Sequence, residues 1–361
     1  MQAGSPGHNR PMQIAELRQR LRALGAGPSH EARVLRLWSQ ALPWNSGKRK
    51  PEDFLPKTLR EGLPALAAEL AGLARLRAEH PGADGSARLR VDLADGQMVE
   101  SVLLPRDGLC VSTQVGCAVG CLFCMTGRSG LLRQLGSAEI VAQVALARQR
   151  RLVRKVVFMG MGEPSHNLDN VLEAIELLGH EGGVGHKNLV FSTVGDARVF
   201  ERLALGRVKP ALALSLHSTF AQRRGELLPL APRIAPEALI EASHAYARAT
   251  GYPLQIQWTL LAGINDGDDE VDRLAVLLKD RFAMLNLIPY NAVDGLAFAR
   301  PSVERAEAIA QELNARGILT RLRQSAGQDV DAGCGQLRAR AAAPMDGRRR
   351  IPLQPERANA A

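Results

Sequence analysis

Three cysteines, Cys117, Cys121 and Cys124, lie within eight residues of one another, in a C-x3-C-x2-C pattern. Three thiolates can bind three irons of a cubic [4Fe–4S] cluster and leave the fourth iron open to a small molecule. A structural zinc site usually takes four ligands from two paired turns, which this uneven set of three fits poorly. The alternatives are a zinc site completed by a distant histidine, or cysteines that share no site.

The 361 residues suffice for one large domain with a smaller attachment or for two ordinary domains, and 46% of them are hydrophobic. No apolar segment reaches membrane-spanning length without a charge, and the first residues lack the apolar core of a signal peptide. The five cysteines are an odd number, and three are clustered, which is typical of a reducing compartment. We therefore expect a cytoplasmic monomer without a membrane partner.

The net charge of +9 favours a polyanionic partner, nucleic acid first among them, although a generic basic surface would give the same value. Basic residues are concentrated in three clusters, at 48–50, 148–155 and 348–350. Only 4% of the residues are aromatic, so the sequence shows no obvious platform for stacking single-stranded bases.

The first part of the chain, residues 1–82, is predicted to be a small helical accessory domain. Hydrophobic residues recur there at helical spacing over 12–26, 30–42 and 56–79. The loop 80–86 is the predicted linker.

Residues 83–109 are predicted to form a β-hairpin extension, because two alternating segments flank the turn dipeptide Asp95-Gly96. Glu100 lies on the returning strand, where a glutamate is usually a solvated surface residue.

Residues 110–337 show a regular alternation that predicts an α/β fold, a partial (β/α)6-type barrel. The predicted strands are 110–115, 154–160, 188–193, 210–216, 254–261, 284–290 and 318–323. The predicted helices are 137–150, 167–179, 197–205, 235–250, 268–280 and 302–316. The basic tail, 338–361, is predicted to be disordered.

Polar residues follow successive predicted strands, at the end where barrel enzymes place their chemistry. A polar strand end is usually only a satisfied terminus, but the recurrence in order favours one site. The segments concerned are 160–163, 191–195, 214–218 and 287–291.

The two other cysteines differ in context. Cys110 precedes the cluster pattern by seven residues, and burial as a small apolar residue is the usual interpretation of such a cysteine. Cys334 lies between Gly333 and Gly335, which predicts an accessible thiol in a polar loop. Such a thiol can act as a nucleophile.

The C-x3-C-x2-C pattern with Phe123 before the third cysteine resembles that of the radical S-adenosylmethionine (SAM) superfamily. A narrower resemblance, to the RlmN/Cfr family of radical SAM RNA adenosine methyltransferases, runs from about Glu100 to Leu337. It is carried by segments 109–117, 160–164, 191–195, 215–218, 287–291 and 327–337.

The resemblance implies a role for each residue. Cys117, Cys121 and Cys124 would bind the cluster. SAM would be held by residues at the strand ends, namely Gly162, Glu163, Ser192, Ser215, Leu216, His217 and Asn291. Cys334 would be methylated, and Cys110 would resolve it through a disulfide. Glu100 would be the proton acceptor, although the turn between Glu100 and Cys110 is shorter than in the family.

It also implies a reaction and its partners. Two SAM molecules are used per turnover: one methylates Cys334, and the other is cleaved to a radical that activates the methyl group for addition to adenine C2 or C8. The substrate would be RNA, ribosomal 23S RNA or tRNA, and a flavodoxin or ferredoxin with its reductase would supply electrons. The alternative is a radical SAM enzyme of another reaction class, which would not use Cys110 and Cys334 as a pair.

Overall fold

A mixed ten-stranded sheet organises this computed structural model, which describes residues 11–128, 130–293 and 295–338. In chain order the strands are β1 (Ala74–Pro81), β2 (Ala87–Leu93), β3 (Met98–Leu104), β4 (Gly108–Cys110), β5 (Gln114–Gly116), β6 (Leu131–Gln134), β7 (Lys155–Phe158), β8 (Leu189–Thr193), β9 (Ala211–Ser215), β10 (Leu254–Leu260), β11 (Ala283–Pro289) and β12 (Thr320–Leu322).

The sheet has an antiparallel and a parallel half, in the order β1-β2-β3-β4-β7-β8-β9-β10-β11-β12. Neighbours are antiparallel from β1 to β4 and parallel from β4 to β12. Strands β5 and β6 form a separate antiparallel pair. Since parallel neighbours need a crossover between them, the helices predicted by the sequence lie in these connections.

The helices are α1 (Ile14–Ala23), α2 (Pro28–Ser39), α3 (Pro51–Phe54), α4 (Lys57–Gly72), α5 (Met125–Arg128), α6 (Ser137–Arg148), α7 (Leu168–His180), α8 (Ala197–Leu205), α9 (Ala221–Leu227), α10 (Pro236–Thr250), α11 (Asp268–Leu278) and α12 (Val303–Ala315). The first four precede the sheet. No helix of the described residues has the length and apolar character that crossing a membrane requires.

One continuous hydrophobic core joins the N-terminal helices to the barrel. It includes Leu35 of α2, Leu89 of β2 and Phe158 of β7, each of which is almost fully buried. A second, smaller core surrounds the cluster cysteines and includes Phe123 and Tyr290. The cysteine segment is thus held by its own apolar contacts beside the main core.

The α/β fold class with a parallel sheet is confirmed, and α8 begins and ends where the sequence predicted. The helix predicted over 56–79 is wrong in its last part, because α4 ends at Gly72 and residues 74–81 form β1. Alanine, leucine, arginine and glutamate in this segment favour helix, but pairing with β2 overrides that weak preference.

The predicted linker and the first barrel strand also need correction. His80 and Pro81 pair with β2, so only 82–86 form the loop. The strand predicted over 110–115 is divided, since β4 ends at Cys110 in the main sheet and β5 pairs with β6. The tail predicted to be disordered lies outside the described residues beyond 338.

Candidate active site

A cavity at the carboxyl ends of the parallel strands brings together most of the residues singled out by the sequence. Those that line it are Cys117, Cys121, Cys124, Gly162, Glu163, Ser192, Ser215, His217 and Cys334. Leu216, Asn291, Cys110 and Glu100 do not line this cavity. The expectation that polar strand ends surround one pocket is therefore confirmed for the ends of β7, β8 and β9.

Backbone hydrogen bonds and one glycine fix the conformation of the cysteine segment. The N–H of Cys117 donates to the carbonyl oxygen of Gly130 at 3.0 Å, and that of Cys124 donates to the carbonyl of Cys121 at 3.1 Å. A Cβ at Gly127 would lie 3.0 Å from the Cys121 nitrogen and 3.1 Å from the Gly120 backbone, tighter than ordinary van der Waals contact, so glycine fits this turn best. The three thiols consequently face the same cavity.

Burial and mutual repulsion oppose ionisation of these thiols when no cation is near. Burial raises the pKa of Cys117 to about 12, with the neighbouring Cys124 adding to the shift. The pKa of Cys121 is also raised, first by burial and then by the other two thiols. A positively charged metal centre would reverse this effect, since it stabilises thiolates directly.

Glu163 is fixed at the end of β7 with its carboxylate directed by backbone groups. It accepts hydrogen bonds from the N–H groups of Ser165 and Val194, both at 3.1 Å. The preceding Gly162 has φ +104°, and a Cβ there would lie 2.6 Å from Gln114. A buried carboxylate beside bare backbone is suited to receiving a cationic amino group.

His217 is a neutral hydrogen-bond donor in the cavity wall. Its Nδ1 accepts from the N–H of Thr259 at 3.0 Å, which leaves the proton on Nε2. Burial lowers the pKa of His217 to about 3, and the nearby Arg224 contributes to this shift. The ring packs edge-on against Phe123 at 4.9 Å, so the cavity wall is tied to the cysteine segment.

Cys334 reaches the cavity from residues 324–338, which we call the thiol loop. Asn291 Nδ2 donates to the Cys334 carbonyl at 2.9 Å and to Ser325 Oγ at 2.8 Å. The N–H of Met125 donates to the Gly335 carbonyl at 2.8 Å. These bonds place the thiol next to the cluster cysteines.

The environment of the Cys334 thiol is mixed. The residue is exposed, as the sequence predicted for a cysteine between two glycines. Desolvation by the surrounding protein nevertheless raises the pKa of the thiol, and Cys124 contributes, while a hydrogen bond from Ser325 acts in the opposite direction.

Cys110 lies behind the cavity as the last residue of β4. It is buried and its thiol is free, as is that of Cys334. Burial raises the pKa of Cys110, and Cys334 is near enough to raise it further. The fold therefore brings together two cysteines that are 224 positions apart in the sequence.

Comparisons with known proteins agree with this geometry. The family model of the radical SAM superfamily matches residues 111–275. A crystal structure of a radical SAM methyltransferase from Sphaerobacter thermophilus is similar at 36% identity and a TM-score of 0.78, covering 91% of this chain and 98% of that one. This chain belongs to the radical SAM superfamily.

Curated relatives extend the similarity over nearly the whole chain. A "Probable RNA methyltransferase" of Leptothrix cholodnii is 68% identical over 95% of this chain and 99% of its own length. Another, of Methylibium petroleiphilum, is 70% identical over 95% of this chain and 97% of its own length. The radical SAM protein described here thus shares a family with both relatives.

The donors in the cavity fit the groups that the superfamily implies. No three His, Cys, Asp or Glu side chains in the described ranges converge on a single metal ion. In a [4Fe–4S] cluster each thiolate binds a different iron, so three thiols that line one cavity without converging suit a cluster. The fixed carboxylate of Glu163 beside Gly162 suits the amino group of SAM.

Glu100 lies on β3, fully buried, and is not the solvated residue usual at such positions. Its carboxylate accepts from Arg88 Nη1 at 3.2 Å and from the N–H of Arg338, at the end of the thiol loop, at 3.1 Å. The proposed proton acceptor therefore contacts the same loop that carries Cys334.

Several residues near the cavity were missed by the sequence analysis. Gln257 and Thr259 of β10 line it, and polar residues at alternate positions of an apolar strand could have indicated them. Arg224 donates to the Val194 carbonyl beside the cavity, and burial lowers its pKa to about 10. Nothing in its local sequence distinguishes this arginine from the exposed ones.

Proposed function

We propose that the protein is a radical SAM RNA methyltransferase that methylates an adenine ring carbon, C2 or C8, through Cys334. The observation that carries the proposal is the position of the Cys334 thiol, which lines the same cavity as the three cluster cysteines and Glu163. The names of the relatives support RNA as the substrate. The target within 23S ribosomal RNA or tRNA is part of the same proposal.

In this proposal Cys117, Cys121 and Cys124 hold a [4Fe–4S] cluster, and Glu163 binds the amino group of SAM. Gly162, Ser192, Ser215, His217 and Asn291, with the backbone at Leu216, complete the SAM site. When bound, the cluster and SAM supply one-electron chemistry by generating a carbon-centred radical. The residues of this chain orient the reacting groups and exclude water.

Cys334 is the group that carries the methyl. Its thiolate attacks the methyl carbon of a first SAM, so an S–C bond forms at Cys334 as the methyl–sulfonium bond breaks, and S-adenosylhomocysteine leaves. After one hydrogen atom has been removed from this methyl group by the radical that a second SAM would supply, its carbon bonds to the adenine ring carbon, and the odd electron left on the adduct would return to the cluster. RNA is then joined covalently to the thiol loop.

Glu100 and Cys110 complete the reaction. Glu100 accepts the proton from the substituted ring carbon, and its contacts to Arg88 and Arg338 hold it beside the thiol loop. The Cys110 thiolate then attacks the sulfur of Cys334, the S–C bond to the base breaks as the S–S bond forms, and the released carbon takes up a proton to give the methylated base. A cellular dithiol returns both cysteines to thiols, and a flavodoxin or ferredoxin with its reductase supplies the single electrons.

The test is mass spectrometry of the purified protein after trypsin digestion. We expect a methyl group on Cys334, or a disulfide from Cys334 to Cys110, in protein expressed with its iron–sulfur cluster. An unmodified Cys334 in cluster-loaded protein that has been supplied with SAM contradicts the proposal and favours another radical SAM reaction. Nucleoside analysis of methylated RNA then distinguishes C2 from C8.

A further inference from the structure

Four cationic side chains lie on or beside the first two and the last of the parallel strands, β4, β7 and β12. Arg106 lies in the turn between β3 and β4, and Lys155 begins β7. Arg321 lies on β12, and Arg323 follows that strand directly. We call these four residues the basic corner.

Backbone hydrogen bonds fix the first two residues of the basic corner against each other. The Asp107 carbonyl oxygen accepts from the N–H of Arg154 at 2.8 Å and from that of Lys155 at 3.1 Å. Arg106 has φ +59°, a conformation that is uncommon for a residue with a side chain. The turn therefore holds Arg106 beside β7 in a conformation that glycine or asparagine adopts more readily.

The segment after β12 is tied to the same edge through the β1–β2 loop. Asp84 accepts from the N–H of Gly327 at 3.0 Å. Arg151 donates to the carbonyl oxygens of Gly85 at 2.7 Å and Leu104 at 2.5 Å. The β1–β2 loop thus connects the thiol loop, which begins directly after Arg323, with the end of β3, two residues before Arg106.

The basic corner retains its positive charge without neutralising partners. Among the described residues, none of its four side chains forms an ion pair with a carboxylate, and the adjacent Asp107 pairs with Arg154 at 3.7 Å. Burial lowers the pKa of Lys155 and of Arg323, and the neighbouring corner cations add to both shifts. The charges therefore repel one another.

Other basic residues of the 148–155 cluster have structural roles. Arg148 donates to the carbonyl oxygens of Ser39 and Gly182, both at 2.8 Å, and Arg150 pairs with Glu79 at 2.7 Å. These arginines stabilise the fold. Within the basic corner, Arg323 Nε also donates to Asn286 Oδ1 at 2.8 Å. Since the four charges repel one another and no carboxylate of the described residues neutralises them, the basic corner is suited to an anionic partner.

We propose that the basic corner binds phosphate groups of the RNA backbone. Guanidinium groups match the geometry of phosphate oxygens, and their charge attracts a polyanion over a distance. Arg323 is two residues before Ser325, whose hydroxyl accepts from Asn291 beside Cys334. RNA bound at the corner would lie along the segment that leads to the reactive thiol. This inference rests on the proposed function for the identity of the polyanion.

The experiment compares two charge-matched double variants of the full-length protein. Arg106→Gln with Arg321→Gln removes two corner charges from exposed side chains. Arg248→Gln with Lys279→Gln removes two exposed charges on α10 and at the end of α11, elsewhere on the barrel. The affinity for fluorescein-labelled polyuridylate is measured by anisotropy over a series of salt concentrations.

Loss of two phosphate contacts should reduce the slope of log affinity against log salt by about 1.4, since each contact to a single strand contributes about 0.7. At ~0.1 M salt this corresponds to an affinity about 25-fold lower for the corner variant. The control variant should keep the slope and affinity of the unaltered protein.

An unchanged slope in the corner variant, or an equal loss in the control, overturns the proposal. Polyglutamate is the second probe: a corner variant that loses affinity for polyglutamate and keeps it for polyuridylate indicates an acidic protein partner instead. Methylation of Cys334, measured by mass spectrometry on the same samples, does not require RNA. It therefore tests the proposed function separately from the basic corner.

Discussion

The two sides of the cavity are held in different ways. The wall formed by the ends of β7, β8 and β9 takes its positions from strand register, with Glu163, Ser192 and His217 all buried. The thiol loop opposite has no strand partner. It is attached by hydrogen bonds from several elements, such as that from Thr126 to the Leu337 carbonyl at 2.6 Å, and by Ala332 and Leu337, which are buried in the main core.

The difference matches the two tasks of the site. Cofactor binding needs fixed donors, which a register of parallel strands supplies. The chemistry proposed for Cys334 needs one sulfur to meet SAM, an adenine carbon and Cys110 in turn. The part of the thiol loop around the exposed Cys334 can make such movements while Ala332 and Leu337 stay in the core, because opening a few hydrogen bonds outside the sheet needs less free energy than separating paired strands.

The largest effect is expected from the thiol loop itself, in Cys334→Ser. The hydroxyl keeps the size of the side chain but is a poor nucleophile at neutral pH, so we expect no methylated adenosine above background. The measurement is nucleoside mass spectrometry of RNA after incubation with cluster-loaded protein. The brown iron–sulfur absorbance should remain as the internal control, and methylated adenosine at the normal level would contradict the role of Cys334.

Cys110→Ala should stop turnover at a different point. Without the second thiol the covalent bond between Cys334 and RNA has no resolving partner, so a protein–RNA adduct should accumulate. Denaturing gel electrophoresis with labelled RNA detects it as a slowly migrating band. The double variant Cys110→Ala with Cys334→Ser is the control and should give no adduct; absence of the band in the single variant argues against a Cys110–Cys334 pair.

On the barrel wall, Glu163→Gln should weaken SAM binding about 10- to 100-fold, because a hydrogen bond to a charged group contributes about 1.5–3 kcal/mol. Equilibrium dialysis with radiolabelled SAM measures this on cluster-loaded protein. Glu176→Gln, on α7 at an ion pair with Arg207, is the control and should bind SAM normally. If the unaltered protein, Glu163→Gln and Glu176→Gln bind SAM with equal affinity, Glu163 does not belong to the SAM site.

The smallest effect is expected from loosening the thiol loop with Asn291→Ala. Losing the hydrogen bonds to Cys334 and Ser325 should destabilise the loop by about 1 kcal/mol each. Iodoacetamide should then alkylate Cys334 several-fold faster, with little change in global unfolding. Asn170→Ala, which removes a bond to Asn167 far from the loop, should leave that rate unchanged; a rate unaltered by Asn291→Ala would show that the loop is held by other contacts.

The sequence predicted what is encoded locally. The alternation of strands and helices was readable because hydrophobic periods of 2 and 3.6 are properties of adjacent residues. The spacing of Cys117, Cys121 and Cys124 indicated an iron–sulfur cluster in the same way. The sequence analysis did not predict β1, whose residues favour helix and become a strand only by pairing with β2.

Tertiary structure alone decided which distant residues meet. It placed Cys110 near Cys334, brought Glu100 to the end of the thiol loop, and gathered the basic corner from three separate parts of the chain. It also turned Arg148, predicted as part of a basic surface, inward onto backbone carbonyls. The physical reason is that such contacts depend on how the sheet curves and how its last segment folds back, and no local pattern of side chains specifies either.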